Sequence, residues 1–419
     1  MNYLDYLTKF QMFTLNPTLA TVGFFMEKLG NPHKKFKSIY VTGTNGKGSV
    51  CETLFAVLTN SGYKTGKFMS PVLLDLNEYI AIGDNYINSE EIDEYLVDLK
   101  PLIEEKQNEG VFVTFWEVIT ALSIMHFAKH KVDIAIIETG IESPVDCTNI
   151  IDPILTIITK VDVDHEALLG TTVEENMREV IKCIKPNVPV ITSNNLGRGG
   201  SLPPALHLIK ATAKDAKNFK TPLKGKFQKE NLSLALKCFE LLNQKGFNIS
   251  NEQIHEGLKK IKHRARFETI SKSPLVIFDG CHNANAVEAF VETLSTQEDG
   301  VICSNSLKLS IIVALLKDKD LNSFMNAFAK GIKKITKSKK VKIIFTSGTS
   351  VLQQGGSLGV FHSSNKLNEA YSKHSKNNEY NPQLIESSFE DALKNIKNNE
   401  TTFIIGSFKT YKKAMEILS

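Results

Sequence analysis

The chain predicts an α/β protein in which a P-loop-type, mainly parallel sheet domain is followed by a smaller Rossmann-like C-terminal domain. Three observations lead there. At 419 residues the chain is too long for one comfortable core, which favours two domains and allows a third. Its first two thirds alternate short β-branched runs with helical patterns, the rhythm of a parallel sheet wrapped by helices. Near residue 274 a second alternation begins and runs for about 145 residues, enough for a small doubly wound sheet.

The strand candidates of the first part are "KSIYVTG" (37–43), "TGKFMS" (65–70), "VDIAIIET" (132–139), "ILTIIT" (154–159) and "VPVITS" (188–193). They are apolar on both faces, as strands of a buried parallel sheet are. Between them "SVCETLFAVLTNSG" (49–62) has helical spacing with Gly62 as its C-cap, "TFWEVITALSIMHFAKH" (114–130) predicts a strongly amphipathic helix, and "QKENLSLALKCFELLNQKG" (228–246) is a third helix ending in glycine. The second alternation reads "PLVIFDG", a helix from Ala284, "LSIIVALL", a helix from Leu321, "VKIIFTS", a helix over "FEDALKNI", "TTFIIGS" and a last helix. The basic connector "KKIKHRARFE" (259–268) carries a candidate hinge, 262–267, between domains 1–261 and 268–419. Residues 349–383, rich in Ser, Asn and Gly, predict a long surface loop.

Composition excludes several classes. Fifty basic against 46 acidic residues give +4, too little to argue for a nucleic-acid groove or a membrane face. The six cysteines (51, 147, 183, 238, 281 and 303) show no CxxC pair and no zinc spacing, so they read as reduced thiols. No apolar run approaches the roughly 20 residues of a membrane span, and "MNYLDYLTKFQMF" lacks the apolar core of a signal peptide. A cytoplasmic protein is expected, with an organellar location reached through a lost presequence left open.

The stretch that carries chemistry is "YVTGTNGKGSV" (40–50). A buried strand, a glycine-rich turn and a helix in immediate succession are what phosphate binding requires. Backbone N–H groups converge only where side chains are absent, and the helix N-terminus adds its positive dipole end. Within the loop Thr44, Asn45, Gly46, Lys47, Gly48 and Ser49 are the candidate phosphate contacts. Lys47 supplies the mobile cation, and Ser49 offers a hydroxyl to Mg2+ although Gly48 separates the two.

Further candidates lie at strand ends. Glu138 closes "IIETG", and "VDVDHEALLG" puts Asp162, Asp164, His165 and Glu166 beyond the next strand, a set that suits a divalent ion. In "FDGCHNANA", Asp279 is either a ribose acceptor or part of an N-cap cluster led by Asn283. Trp116, the single tryptophan, is either a core residue or a stacking platform.

Together these segments resemble the folylpolyglutamate synthase/dihydrofolate synthase branch of the Mur ligase superfamily. The likeness runs over nearly the whole chain: "NYLDYL", "VTGTNGKGSV", "GYKTGKFMSP", "TFWEVIT", "IIETG" followed by "DCTN", "DHEALLGTT", "IKPNVPVI", "LKGKFQKENLSLAL", "RARFE", "DGCHN" and "LLKDKD". The resemblance implies an ATP-binding Mur-ligase-like domain and a C-terminal glutamate-ligase domain, probing no nucleic acid and no membrane. The implied reaction is ATP-driven ligation of L-glutamate to dihydropteroate or a folate through an acyl phosphate, with Mg2+ as cofactor and a monomer as the working unit. By the same likeness Ser49, Ser70, Glu138 and His165 serve Mg2+. Asn231, Arg266 and Asp279 reach the nucleotide, His282 lies near the transferred phosphate or the glutamate, and Thr114, Trp116 and Asp146 face the pterin.

The chain departs from the pattern at several positions. Val180 stands where the family carries a modified lysine that helps hold a second Mg2+, and the glycine-rich, arginine-bearing loop that the family has after "IIETG" reads "IESPVDCTN" here, with Pro144 in the arginine's place. Val72 replaces a histidine, Tyr79 an arginine and Phe227 a histidine. These losses keep a competing reading open, a nucleotide-binding relative that has changed substrate or lost turnover. The retained Lys47, Ser49, Glu138, His165 and Asp279 weigh for the enzyme.

Overall fold

The structure is a computed structural model that describes residues 3–11, 18–163, 166–193, 207–212, 214–295, 308–336, 340–348, 351–352, 358–375 and 383–418. The chain divides into two compact units, Met1–Pro222 with Gln228–Lys262, and Leu223–Phe227 with His263–Gln353 and Leu358–Ser419.

The sheet of the first unit contains β1 (Lys37–Thr42), β2 (Thr65–Phe68), β3 (Ile80–Ile82), β4 (Asn85–Tyr86), β5 (Ile134–Glu138), β6 (Leu155–Ile158), β7 (Val190–Ser193) and β8 (Leu208–Ala211), in the order β4-β3-β2-β5-β1-β6-β7-β8. Pairing is parallel from β2 through β8, and β3 and β4 add an antiparallel edge. β5 and β6 are buried at every position, as apolar strands covered on both faces must be. β1 lies between them, so the turns leaving β1, β5 and β6 open side by side at one sheet edge.

The helices of this unit are α1 (Tyr3–Leu7), α2 (Ala20–Lys28), α3 (Lys47–Asn60), α4 (Ser89–Asn108), α5 (Phe115–Lys129), α6 (Glu166–Leu169), α7 (Val173–Lys182), α8 (Phe227–Gln244) and α9 (Asn251–Lys259). α3 ends as the glycine predicts. Gly62 takes φ +89, its N–H reaches Thr59 O, and Tyr63 N–H reaches Leu58 O, closing the last turn.

α5 departs from expectation. Every residue from Phe115 to Phe127 is buried, so the helix is enclosed rather than amphipathic. β2 takes one side, with Phe127 against Gly66 and Trp116 against Phe68, and α2 and α4 pack on others. Apolar residues all round are the signature of that position.

The second unit holds β9 (Glu268–Lys272), β10 (Leu275–Phe278), β11 (Lys308–Val313), β12 (Lys340–Thr346), a short pair β13 (Val351–Leu352) and β14 (Leu358–Gly359), β15 (Gln383–Ser387) and β16 (Thr401–Ile405). Its main sheet runs β15-β12-β11-β16-β10-β9, parallel except for the β9–β10 hairpin. Its helices are α10 (Ala284–Ser295), α11 (Leu321–Ile335), α12 (Ser364–Ser375), α13 (Phe389–Lys394) and α14 (Tyr411–Leu418).

The loop expected over 349–383 therefore contains a helix, α12. Two apolar residues, Leu367 and Tyr371, are spaced four apart and both are buried against the sheet. That pair is enough to dock an otherwise polar segment. Among the described residues no helix is long and apolar enough to cross a membrane.

Candidate functional site

The turn after β1 is built on glycine where geometry demands it. Gly43 has φ +112, and a Cβ there would lie 2.5 Å from Thr159 Oγ1. Gly46, the N-cap of α3, has φ +101, and its Cβ would lie 2.5 Å from Asn231 Oδ1. Both positions combine left-handed backbone with no room for a side chain.

The loop is sewn to the segment after β6. Thr44 N–H and Asn45 N–H both donate to Lys160 O, at 2.9 and 3.0 Å, and Thr44 Oγ1 donates to Asp162 O while accepting from Asp162 N–H. The backbone donors of Thr44 and Asn45 hold the loop in shape and are turned to Lys160, while the first turn of α3, at Lys47, Gly48 and Ser49, follows directly. A helix start leaves such N–H groups without intrahelical acceptors.

Around this turn the structure gathers residues from distant sequence. Ser49 Oγ accepts from Gln228 Nε2 at 3.1 Å, and Gln228 Oε1 accepts from Asn231 Nδ2 at 2.9 Å, a buried relay on the first turns of α8. Gln228 was not singled out from sequence, although it stands three residues before Asn231 on the same helical face. On the other side Glu138 ends β5 beside Val41, buried, with its Oε2 accepting from Ser70 N–H at 3.3 Å. Ser49, Ser70 and Glu138 thus offer hard oxygen atoms at the same sheet edge, the donor type Mg2+ prefers. His165 and Asp164 lie outside the described residues.

Lys47 brings a partner that sequence reading missed. Its Nζ donates to Gly43 O at 2.6 Å and to Glu142 Oε1 at 2.5 Å. Glu142 is buried, and no hydrogen-bond partner reaches its Oε2 among the described residues. The loop after β5 holds it there. Asp146 accepts from Gly140 N–H, Ile141 N–H and Trp116 Nε1–H on one oxygen and from Thr148 on the other.

The residues expected at the pterin face lie beside that loop. Thr114 caps α5 in a reciprocal box with Glu117, and Trp116 is only 4% exposed, packed against Phe68, Tyr79 and Gly140. The carboxylate of Asp146 is buried and turned inward to its donors, and burial pushes its pKa up against their pull. Thr114, Trp116 and Asp146 are all buried, and the Trp116–Asp146 hydrogen bond ties the start of α5 to the loop. Of the departures, Val72 and Tyr79 pack into the same apolar cluster as Trp116. Val180 is fully buried with Ile158, Val161, Met177 and Val190, so the position has no metal-binding atom and an apolar setting.

In the second unit Arg266 and His282 converge on Phe408, and Asp279 lies near Arg266. The Arg266 guanidinium lies 4.4 Å from the Phe408 ring centroid, and the His282 ring meets the same phenyl edge-on at 5.6 Å. Asp279 accepts from Phe267 N–H and Cys281 N–H, while burial raises its pKa and Arg266 opposes the shift. Asn283 Oδ1 accepts from Ala286 N–H at the start of α10, so Asn283 takes the capping work. His282 Nδ1 donates to Gly280 O at 2.9 Å, which leaves Nε2 as the nitrogen with a lone pair. Arg266 sits between two non-glycine residues of positive φ, Ala265 (+56) and Phe267 (+50). Strain of that kind persists only where surrounding bonds over-determine it, and here Gly280, Glu268 and Asp279 do so.

A parallel sheet with a glycine-built turn, a lysine at the helix start and a buried carboxylate on the next strand, joined to a second α/β unit, defines a P-loop-type nucleotide-dependent ligase of the Mur-ligase kind. No family model matches the chain. It is 32% identical over 338 residues to the dihydrofolate synthase/folylpolyglutamate synthase of Bacillus subtilis, covering 73% of this chain and 77% of that protein. Among solved structures it is similar to folylpolyglutamate synthase from Thermotoga maritima (TM-score 0.73, 25% identity, 99% and 96% of the two chains) and to E. coli FolC in complex with DHPP and ADP (TM-score 0.77, 21% identity, 99% and 96%). The chain belongs to the dihydrofolate synthase/folylpolyglutamate synthase family.

Proposed function

We propose that this protein uses ATP to join L-glutamate to dihydropteroate, to a folate, or to both. The γ-phosphoryl group passes to a substrate carboxylate oxygen, releasing ADP. The glutamate amine then attacks the acyl carbon, an amide C–N bond forms, the amine loses its proton and phosphate departs. The observation that carries this reading is the α3 turn, where Gly43 and Gly46 supply the left-handed backbone that leads the chain into the helix and Lys47 and Ser49 stand at the helix start. The nucleotide seen with E. coli FolC supports it by likeness.

Lys47 and the first-turn amides would neutralise the charge that develops on the transferred group, the largest contribution that such a site offers. Ser49, Ser70 and Glu138 would hold Mg2+, with His165 assigned by likeness alone. When bound, the ion shields phosphate charge and helps orient the triphosphate. By likeness, Arg266, Asp279 and His282 are assigned to the nucleotide and the glutamate, and residues 262–267 to the hinge. Asn231 acts through Gln228 and Ser49 as a positioning residue.

The test is phosphate release from ATP and Mg2+ with L-glutamate, run separately with dihydropteroate and with tetrahydrofolate. Glutamate-dependent release with at least one acceptor is expected. Release indifferent to any pterin, or none despite sound ATP binding, would sink the reading.

A second prediction concerns the turn. Gly46→Ala forces an L-residue into left-handed backbone, a penalty of about 1–2 kcal/mol, and drives its methyl onto Asn231. ATP affinity is expected to fall roughly tenfold, the equivalent of about 1.4 kcal/mol. Calorimetric titration beside a denaturant melt would separate the loss of binding from the loss of stability.

A further inference from the structure

Helix α4 opens on a capping box in which Asn88 Oδ1 accepts from Glu91 N–H at 2.8 Å and Glu91 Oε2 accepts from Asn88 N–H at 3.0 Å. The box fixes Glu91 in the first turn and leaves its second oxygen facing α5. There His126 and His130, four residues apart, present ring nitrogens on one face. Glu91 Oε1 lies 2.9 Å from His130 Nε2 and 3.9 Å from His126 Nδ1, and the two imidazole centroids are 4.4 Å apart. One ligand atom from each residue falls within 4.8 Å of the other two.

We propose that Glu91, His126 and His130 form a binding site for a divalent transition-metal ion of the Zn2+ class. Tetrahedral ligands at about 2.0–2.1 Å from such an ion stand about 3.4 Å from one another, and the two measured edges bracket that separation. Two imidazoles and a carboxylate select zinc-like ions over Mg2+. Burial lowers the pKa of His126 to about 4, so its lone pair is available at neutral pH. The Tyr95 hydroxyl and His126 Nδ1 share a hydrogen bond of 3.2 Å, which must open when the ion enters. His130 Nε2 faces a carboxylate and so carries a proton, which binding moves to Nδ1 or to solvent.

The nearby Lys129 is taken up by Glu94 at 2.5 Å, and the partly exposed side chains of His130 and Glu91 provide the way in. β5 begins four residues after His130 and carries Glu138 at its far end. At about 3.3 Å per residue the ion would sit roughly 15 Å or more from the phosphate turn. It would clasp α4 to α5 and take no part in the chemistry.

Tag-free protein dialysed against a chelator, then titrated with ZnCl2 against a chromophoric competitor, should take up one ion and gain thermal stability. Excess MgCl2 should not compete. His130→Gln and Glu91→Gln should each weaken uptake at least ~10-fold, with ATP-dependent turnover unchanged. Because Glu91→Gln also weakens a helix cap, His130→Gln at a partly exposed ring is the deciding variant. Failure of the unaltered protein to take up zinc overturns the proposal, as does uptake that both variants leave intact.

Discussion

Lys47→Ala is expected to lower glutamate-dependent phosphate release at least ~100-fold, because it removes a charge aimed at the transferred phosphoryl group. The structure adds a complication that must be designed around. Lys47 is the counter-ion of Glu142, whose carboxylate is buried, and removing one member of a buried pair destabilises by about 3–5 kcal/mol. The single variant would therefore lose stability as well as catalysis. In Lys47→Ala/Glu142→Gln the stranded charge is gone. Stability should recover in this double variant while phosphate release stays down, measured by urea unfolding and a coupled phosphate assay. Recovery of turnover together with stability would show that Lys47 serves the fold and not the transferred phosphate.

What the sequence made legible was local. The phosphate turn could be read because strand, left-handed glycines and helix start are contiguous, and each has its own residue requirement. The caps at Gly62 and Asn283 follow from the same short-range rules. The misses are tertiary. Lys47 and Glu142 are 95 positions apart and Ser49 and Gln228 are 179 apart, so no spacing rule could join them. Trp116 was left between core and stacking platform, because which face of α5 is covered depends on α2 and α4, which carry no sequence mark of where they dock. β3 and β4 are three and two residues long, too short to show a period of two.

Glu142→Gln should move the enzyme in the opposite direction, tightening ATP binding about tenfold. As the chain stands, the ammonium that a triphosphate needs is already held by a carboxylate at 2.5 Å, and that carboxylate adds a negative charge where a strongly anionic ligand must arrive. Glutamine keeps the length and the shape and still offers an oxygen to Lys47, but it replaces a charge-assisted bond by a neutral one. Bonds of the two kinds differ by roughly 1–1.5 kcal/mol, close to the 1.4 kcal/mol of a tenfold change. Fold stability should fall, though by less than in Lys47→Ala, since Lys47 keeps Gly43 O and the glutamine oxygen as acceptors while the amide nitrogen takes the place of Oε2, which is buried without a hydrogen bond among the described residues. Titration of ATP into both proteins at fixed Mg2+ checks the affinity, and steady-state turnover checks whether the released lysine is better placed. Weaker ATP binding in Glu142→Gln would mean that the carboxylate orients Lys47 for the nucleotide instead of competing with it, and the pair would then belong to the binding machinery itself.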